Sequence, residues 1–269
     1  MSSPSQHHRA RKRFGQNFLH DESVIDAIVA AIAPTENDHI VEIGPGQGAL
    51  TSPLVPSVRS FDAIELDRDL TAFLLASFSI HDHFTLHSAD ALTFDFGSLQ
   101  ASDADRLRIV GNLPYNISTP LIFKLLETSH LIHDMHFMLQ REVVQRLAAE
   151  PGSKHWGRLG AMTQFHCRVE HLFDVPPEAF QPAPRVHSAI VRLTPWDERP
   201  WPDCETQDLE RLLQAAFAQR RKTLRNNLKG LIDSAGLEAL GIDPGARAET
   251  VELTDLIRLA NTLHVQHRT

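Results

Sequence analysis

At 269 residues and 42% hydrophobic content, the chain fits one large or two ordinary domains of a soluble globular protein. No stretch approaches the roughly 18 apolar residues of a membrane span, since Asp26 breaks even the run 24–33, and the polar start has no apolar signal core. Cys167 and Cys204 lack CxxC or metal spacing, which excludes a disulfide scaffold and predicts two reduced thiols in a cytoplasmic protein.

The formal net charge of −8 argues against a nucleic-acid partner only until its distribution is considered. Acids outnumber bases between Asp21 and Arg108. Arg9, Arg11, Lys12 and Arg13 form a purely basic run, and residues 211–232 again hold only bases: Arg211, Arg220, Arg221, Lys222, Arg225 and Lys229. Local patches govern phosphate binding, so Arg220, Arg221, Lys222 and Arg225 are the candidate phosphate contacts, the alternative being a solvated face.

In chain order, residues 1–13 read as a basic flexible tail, and Phe14 and Phe18 are predicted to dock the segment 11–19 onto the protein. Asp21 can cap a helix over 22–33 whose Val24, Ile25, Ile28, Val29 and Ile32 share one face. His39-Ile40-Val41-Glu42-Ile43 is a buried-strand pattern, closed by Gly44-Pro45-Gly46-Gln47-Gly48 before a helix at 49–54. A glycine turn between strand and helix lets a ligand approach the backbone, but the spacing G-x-G-x-G disfavours a nicotinamide or flavin cofactor.

Apolar runs then recur, each ending in a polar residue: 61–64 before Glu65, 84–86 before Asp90, and 107–110 before Asn112. Steps of 21, 25 and 22 residues separate Gly44, Glu65, Asp90 and Asn112. One strand plus one crossover helix accounts for each step, so all four should lie on the carboxyl edge of a parallel sheet, where open α/β sheets bind ligands. Glu65 is placed to accept from ribose hydroxyls and Asp90 from an adenine amine; a helix cap is the alternative for either acid.

In Val110-Gly111-Asn112-Leu113-Pro114-Tyr115-Asn116-Ile117-Ser118, Gly111 and Pro114 stop the strand, which leaves Asn112 and Tyr115 on a loop. An amide beside an aromatic face suits a planar base with an exocyclic amine, and the Leu113 carbonyl offers a second acceptor. The tetrapeptide resembles the (Asn/Asp)-Pro-Pro-Tyr signature of methyltransferases acting on amino nitrogens, with Leu113 in place of the first proline. A proline-kinked turn with a packing tyrosine is the alternative.

A helix is predicted over 119–131, a strand over 135–139 and a helix over 141–149; His130, His133 and His136 read as non-ligands. Apolar runs 165–175 and 186–193 flank a stiff proline-rich connector that can present Phe180 opposite Tyr115, or simply bury it in a hairpin connection. Residues 196–208 read as a linker, and 209–231 carries helical periodicity.

The segments 11–19, Glu42-Ile43-Gly44-Pro45-Gly46, Ile64-Glu65-Leu66-Asp67, 112–118 and Arg220-Arg221-Lys222 occur in the order seen in the small-subunit ribosomal RNA adenine N6,N6-dimethyltransferases, which the chain resembles over nearly its whole length. The resemblance implies an α/β fold: a Rossmann-like class I methyltransferase sheet over 14–195 and a small C-terminal all-helical domain over 209–269. It implies S-adenosyl-L-methionine as cofactor, contacted by Asn17, Leu19, Gly44, Glu65, Asp90 and Asn112, with Tyr115 and Phe180 around the target base. The implied partner is the 16S RNA of the assembling small ribosomal subunit, dimethylated at two adjacent adenosines of a hairpin loop near its 3′ end. No metal, no membrane and a monomer are expected.

Overall fold

The computed structural model describes residues 17–100 and 106–266. The basic run 9–13 and Phe14 therefore lie outside the described residues. Short β1 (Phe18–Leu19) leads into α1 (Glu22–Ile32), where Asp21 caps the first turn by accepting from the amides of Ser23 at 2.9 Å and Val24 at 3.2 Å. The helix buries Ile28 and Ile32 and ends at Ala33 in the left-handed conformation.

Alternating strands and helices follow: β2 (His39–Ile43), α2 (Thr51–Leu54), β3 (Ser60–Glu65), α3 (Arg68–Phe78), β4 (Phe84–Ser88), β5 (Leu107–Asn112), α4 (Ser118–Glu127) and β6 (Ile132–Gln140). Then come α5 (Arg141–Leu147), α6 (Arg158–His166), β7 (Cys167–Val175), β8 (Phe180–Gln181) and β9 (Ser188–Pro195). The main sheet has the order β4-β3-β2-β5-β6-β9-β7, in which β4, β3, β2, β5 and β6 are parallel and β9 runs antiparallel to β6. Strand order reverses between β2 and β5, so the loops after these two strands diverge and leave a crevice at their carboxyl ends. One expected crossover is absent in its predicted form. Between β4 and β5 the described residues hold a 3-10 turn at Phe96–Leu99 and no α-helix.

A buried cation locks α1 to the sheet. The Arg108 guanidinium on β5 grips Asp134 of β6 through Nε at 3.0 Å and a second nitrogen at 2.7 Å, and reaches Asp38 at 2.6 Å. It also donates to the carbonyls of Ile32 at 2.6 Å and Ala33 at 3.3 Å, which the end of α1 leaves without helical partners. On β6 itself His136 is buried, and burial, with the cations of Arg108 and Arg192, lowers its pKa to about 4 against the pull of Asp134.

The chain divides into two compact units that are not contiguous in sequence. The first runs to Val144 and resumes at Glu170–Pro195; the second takes Gln145–Val169 and the residues from Trp196 onward. Residues 196–208, predicted as a linker, go with the second unit, and so does 145–169. Its helix α6 escapes sequence periodicity because it is buried nearly all round, from Leu159 to His166, and so has no polar stripe. The other correction in this unit concerns the helix predicted over 209–231. It is α7 (Thr206–Ala216), a turn, and α8 (Leu224–Asn227), followed by α9 (Ser234–Ala239) and α10 (Leu253–Gln266). Asn227 donates to the carbonyls of Ala216 at 2.7 Å and Gln219 at 3.1 Å, closing the end of α7, while Leu212, Leu213, Leu224 and Leu228 all stay buried across the turn and keep up the apolar rhythm.

Candidate active site

β2 is buried at all five positions and is followed by Gly44, whose φ of +67° turns the chain toward α2. Gly46 follows in the same conformation; a Cβ there would lie 3.2 Å from the ring of Phe18, so the glycine lets β1 cover the turn. The Gly46 amide donates to Glu65 at 3.3 Å and the Asp67 amide donates to its other oxygen at 2.8 Å. Both bonds orient the Glu65 carboxylate at the end of β3, while burial raises its pKa against them. At Gly111 a Cβ would meet the Ile43 carbonyl oxygen at 2.6 Å, so a side chain is excluded where β5 passes the end of β2.

The end of β5, at Asn112, and the loop beyond it are held at several points. The Asn112 side-chain amide nitrogen donates to the Asn17 carbonyl at 3.1 Å. Only the nitrogen can serve a carbonyl, so this bond fixes which way the amide faces and leaves its oxygen as an acceptor. The Leu113 amide donates to Met138 of β6 at 3.2 Å, and the Tyr115 hydroxyl lies 3.0 Å from that of Ser188. On the other side of the switch point, Asp90 accepts from the Leu92 amide at 2.9 Å through one oxygen.

These loops line one cavity. Asn17, Leu19, Gly44, Glu65, Asp90, Asn112, Leu113 and Tyr115 all contribute to its wall, as does Glu42. Three carboxyl groups face a lining that holds no Lys, Arg or His among the described residues. Such a wall suits a cation that carries hydroxyls and amines, and disfavours a pyrophosphate. The sulfonium nucleoside S-adenosylmethionine fits this donor and acceptor set, in which the Glu65 and Asp90 carboxyls would accept from its hydroxyls and amines and the glycine turn would permit close approach.

Sequence reasoning places Glu42 only within a strand, although an acid inside a buried-strand pattern is itself a signal. Its carboxylate accepts from the Thr51 hydroxyl at 2.5 Å, and burial, with the charge of Glu65 adding to it, raises its pKa to about 7 against the Thr51 hydrogen bond. With a folded pKa above the unfolded one, Glu42 contributes stability that is present below about pH 4.5 and lost as pH rises through about 7. Glu42→Gln keeps an acceptor for Thr51 and removes this linkage. Relative to wild type it is expected to gain about 3 kcal/mol between pH 5 and pH 8 in urea denaturation, and a difference that does not change with pH would sink the assignment.

Two expected residues have structural partners of their own. Phe180 is 2% exposed and absent from the cavity wall. β8 pairs antiparallel with β1, placing Phe180 opposite Leu19 and burying its side chain in the core cluster with Val175, Ala179 and Ile190. In the second unit Arg220 is engaged: it pairs with Glu249 at 2.8 Å and donates to the Lys154 carbonyl, while Gly152 donates to the Glu249 carbonyl. It ties three segments together and is exposed, as are Arg221, Lys222 and Arg225.

Residues 7–264 match the ribosomal RNA adenine dimethylase family. The chain belongs to this family. It is 58% identical to Ribosomal RNA small subunit methyltransferase A of Saccharophagus degradans over 97% of both chains, and 58% identical to the protein of that name from Pseudomonas aeruginosa over 95% of both. Among solved structures, a dimethyladenosine transferase from Plasmodium falciparum shares the fold at a TM-score of 0.79 and 23% identity, covering 93% of this chain and 98% of that one. The 23S rRNA methyltransferase ErmE aligns at a TM-score of 0.71 and 25% identity over 92% of this chain and all of that one (100%). The α/β class of the chain, with its mostly parallel central sheet, agrees with both.

Proposed function

We propose that this chain uses S-adenosylmethionine to dimethylate N6 of two adjacent adenosines in a hairpin loop near the 3′ end of 16S RNA, acting in the cytoplasm on the assembling small ribosomal subunit. The observation that carries the reading is the Asn112 amide, pinned by Asn17 with its oxygen left as an acceptor, on the wall of a carboxylate-lined cavity beside Tyr115. The family membership and the names of its relatives support the same substrate class.

When bound, the cofactor supplies a methyl group on a sulfonium, already a good leaving group, so the protein needs no strong acid. The work left to the protein is positioning. The lone pair of N6 is delocalised into the purine. The Asn112 carbonyl and the Leu113 backbone carbonyl accept hydrogen bonds from the N6 hydrogens, two before the first transfer and one before the second; they favour a more tetrahedral nitrogen and stabilise the positive charge that grows on it until N6 releases a proton. Tyr115 supplies a face for the base once it leaves its stack. The pairing of its hydroxyl with Ser188 holds the ring.

Methyl transfer from labelled cofactor to unmethylated small subunits, compared with large subunits and DNA, tests the proposal. Incorporation into two adjacent adenosines of small-subunit RNA alone is the expected result; preference for large subunits or DNA would replace it with another adenine methyltransferase reading. Charge reversal at Arg221, Lys222 and Arg225 is expected to weaken binding across RNA substrates, with the slope of log affinity against log salt falling by about 0.7 for each phosphate no longer neutralised. Arg220→Glu should instead lower stability, since it faces Glu249; an unchanged melting temperature would contradict the structural assignment.

A further inference from the structure

We propose that Lys124 is a positioning residue that ties the loop carrying Asp90 to the helix following the Asn112–Tyr115 loop, and thereby sets affinity for the purine end of the cofactor. The inference rests on the cofactor reading above, and goes beyond the residues that reading names.

α4 buries Leu121, Ile122, Leu125 and Leu126, and Lys124 lies off that stripe. Its ammonium crosses to the loop after β4, donating to the carbonyls of Phe94 at 2.5 Å and Ala91 at 3.1 Å, and stands 5.4 Å over the ring of Phe96. Burial lowers the pKa of Lys124, and the carboxylates of Asp90, Asp95 and Glu127 oppose that shift.

The loop needs such a tie. It makes a single turn wound on Asp90, whose carbonyl accepts from the amides of Thr93 and Phe94, both at 3.0 Å, and whose side chain accepts from Leu92. The turn does not continue into a helix, so the Ala91 and Phe94 carbonyls are left as a helix end leaves its last carbonyls. Among the described residues no backbone amide serves either of them. A cation satisfies both at once, with charge-assisted hydrogen bonds, as favoured at the carbonyl end of a turn.

The consequence follows from where the two tied elements lead. Asp90, Ala91 and Leu92 form one wall of the cavity, and residues 112–117, which run directly into α4, form another. Lys124 therefore fixes the spacing between the loop that reads the purine and the loop that holds the target amine. Without it the Asp90 oxygen not held by Leu92 loses its set position, while Asn112, Gly44 and Glu65 keep their own supports.

The test is calorimetric titration of the full chain with S-adenosylhomocysteine and, separately, adenosine. Wild type that binds neither would end the cofactor reading itself and leave nothing for Lys124 to tune. If wild type binds, Lys124→Met, which keeps the length and removes the charge and donors, is expected to raise both dissociation constants about tenfold by the same factor. At saturating cofactor its kcat should stay within about twofold, so the loss appears in KM. Lys124→Arg should recover affinity to within about threefold. Should Lys124→Met fail to fold, Lys124→Gln takes its place with an expected loss in the same direction. Unchanged affinity in the neutral variant, a loss for S-adenosylhomocysteine without one for adenosine, or an arginine variant as weak as methionine would each overturn the assignment.

Discussion

Asn112→Asp is expected to lower kcat for methyl transfer by at least about 100-fold while the fold persists. The comparison matters because related amino methyltransferase signatures accept either residue at this position, and an Asp oxygen could still accept a hydrogen from N6. In this chain the second polar atom of the side chain is already committed, since the Asn112 nitrogen donates to the Asn17 carbonyl at 3.1 Å. A carboxylate places an acceptor against that carbonyl, so the side chain must turn away or pull Asn17 with it. Displacements of about 1 Å at the reacting centre cost on the order of 100-fold. The substitution also adds a charge to a wall that already holds Glu42, Glu65 and Asp90. Single-turnover methylation of unmethylated small subunits measures the effect, with circular dichroism as the control for folding. Turnover near wild type would remove the Asn17 tether from the mechanism.

Arg108→Met is expected to destabilise the first unit by about 3–5 kcal/mol, the cost of removing one partner from a buried ionic cluster. Two carboxylates, Asp134 and Asp38, would lose their cation, and the carbonyls of Ile32 and Ala33 at the end of α1 would lose their donors together. The effect reaches the site indirectly, since Arg108 lies on the strand that ends at Asn112. The double variant Arg108→Met with Asp134→Leu should recover part of the loss, because one stranded charge is then gone. Urea unfolding of wild type and both variants checks the sign: a double variant less stable than the single one, or a loss under about 1 kcal/mol, would contradict this account.

The carboxyl edge was legible from residue order because parallel strands with short crossovers leave the chain few ways to proceed. The spacing of Gly44, Glu65, Asp90 and Asn112 therefore placed all four on one rim, even though the link into β5 contains no α-helix among the described residues. The Asp21 cap and the buried face of α1 were legible for a similar reason: both are written in residues a turn or two apart. The glycines of the β2 turn marked close approach to the backbone, where the ring of Phe18 also packs; Gly111, read as stopping the strand, instead stays within β5, with the Ile43 carbonyl against it.

What tertiary structure alone decided are the partners that lie far apart in sequence. The burial of Phe180 beside Leu19 comes from pairing between β8 and β1, far apart in the sequence of the first unit. Arg220 looked like its basic neighbours until Glu249 came within 2.8 Å of it. Arg108 and Lys124 gave no sequence signal at all, because a long cation declares its role only through the carbonyls and carboxylates it meets. Local patterns settle which segments form and which faces they bury, since propensity and amphipathicity act over a few residues. The identity of each buried polar partner waits on packing, since it depends on which distant acceptor the fold brings within about 3 Å.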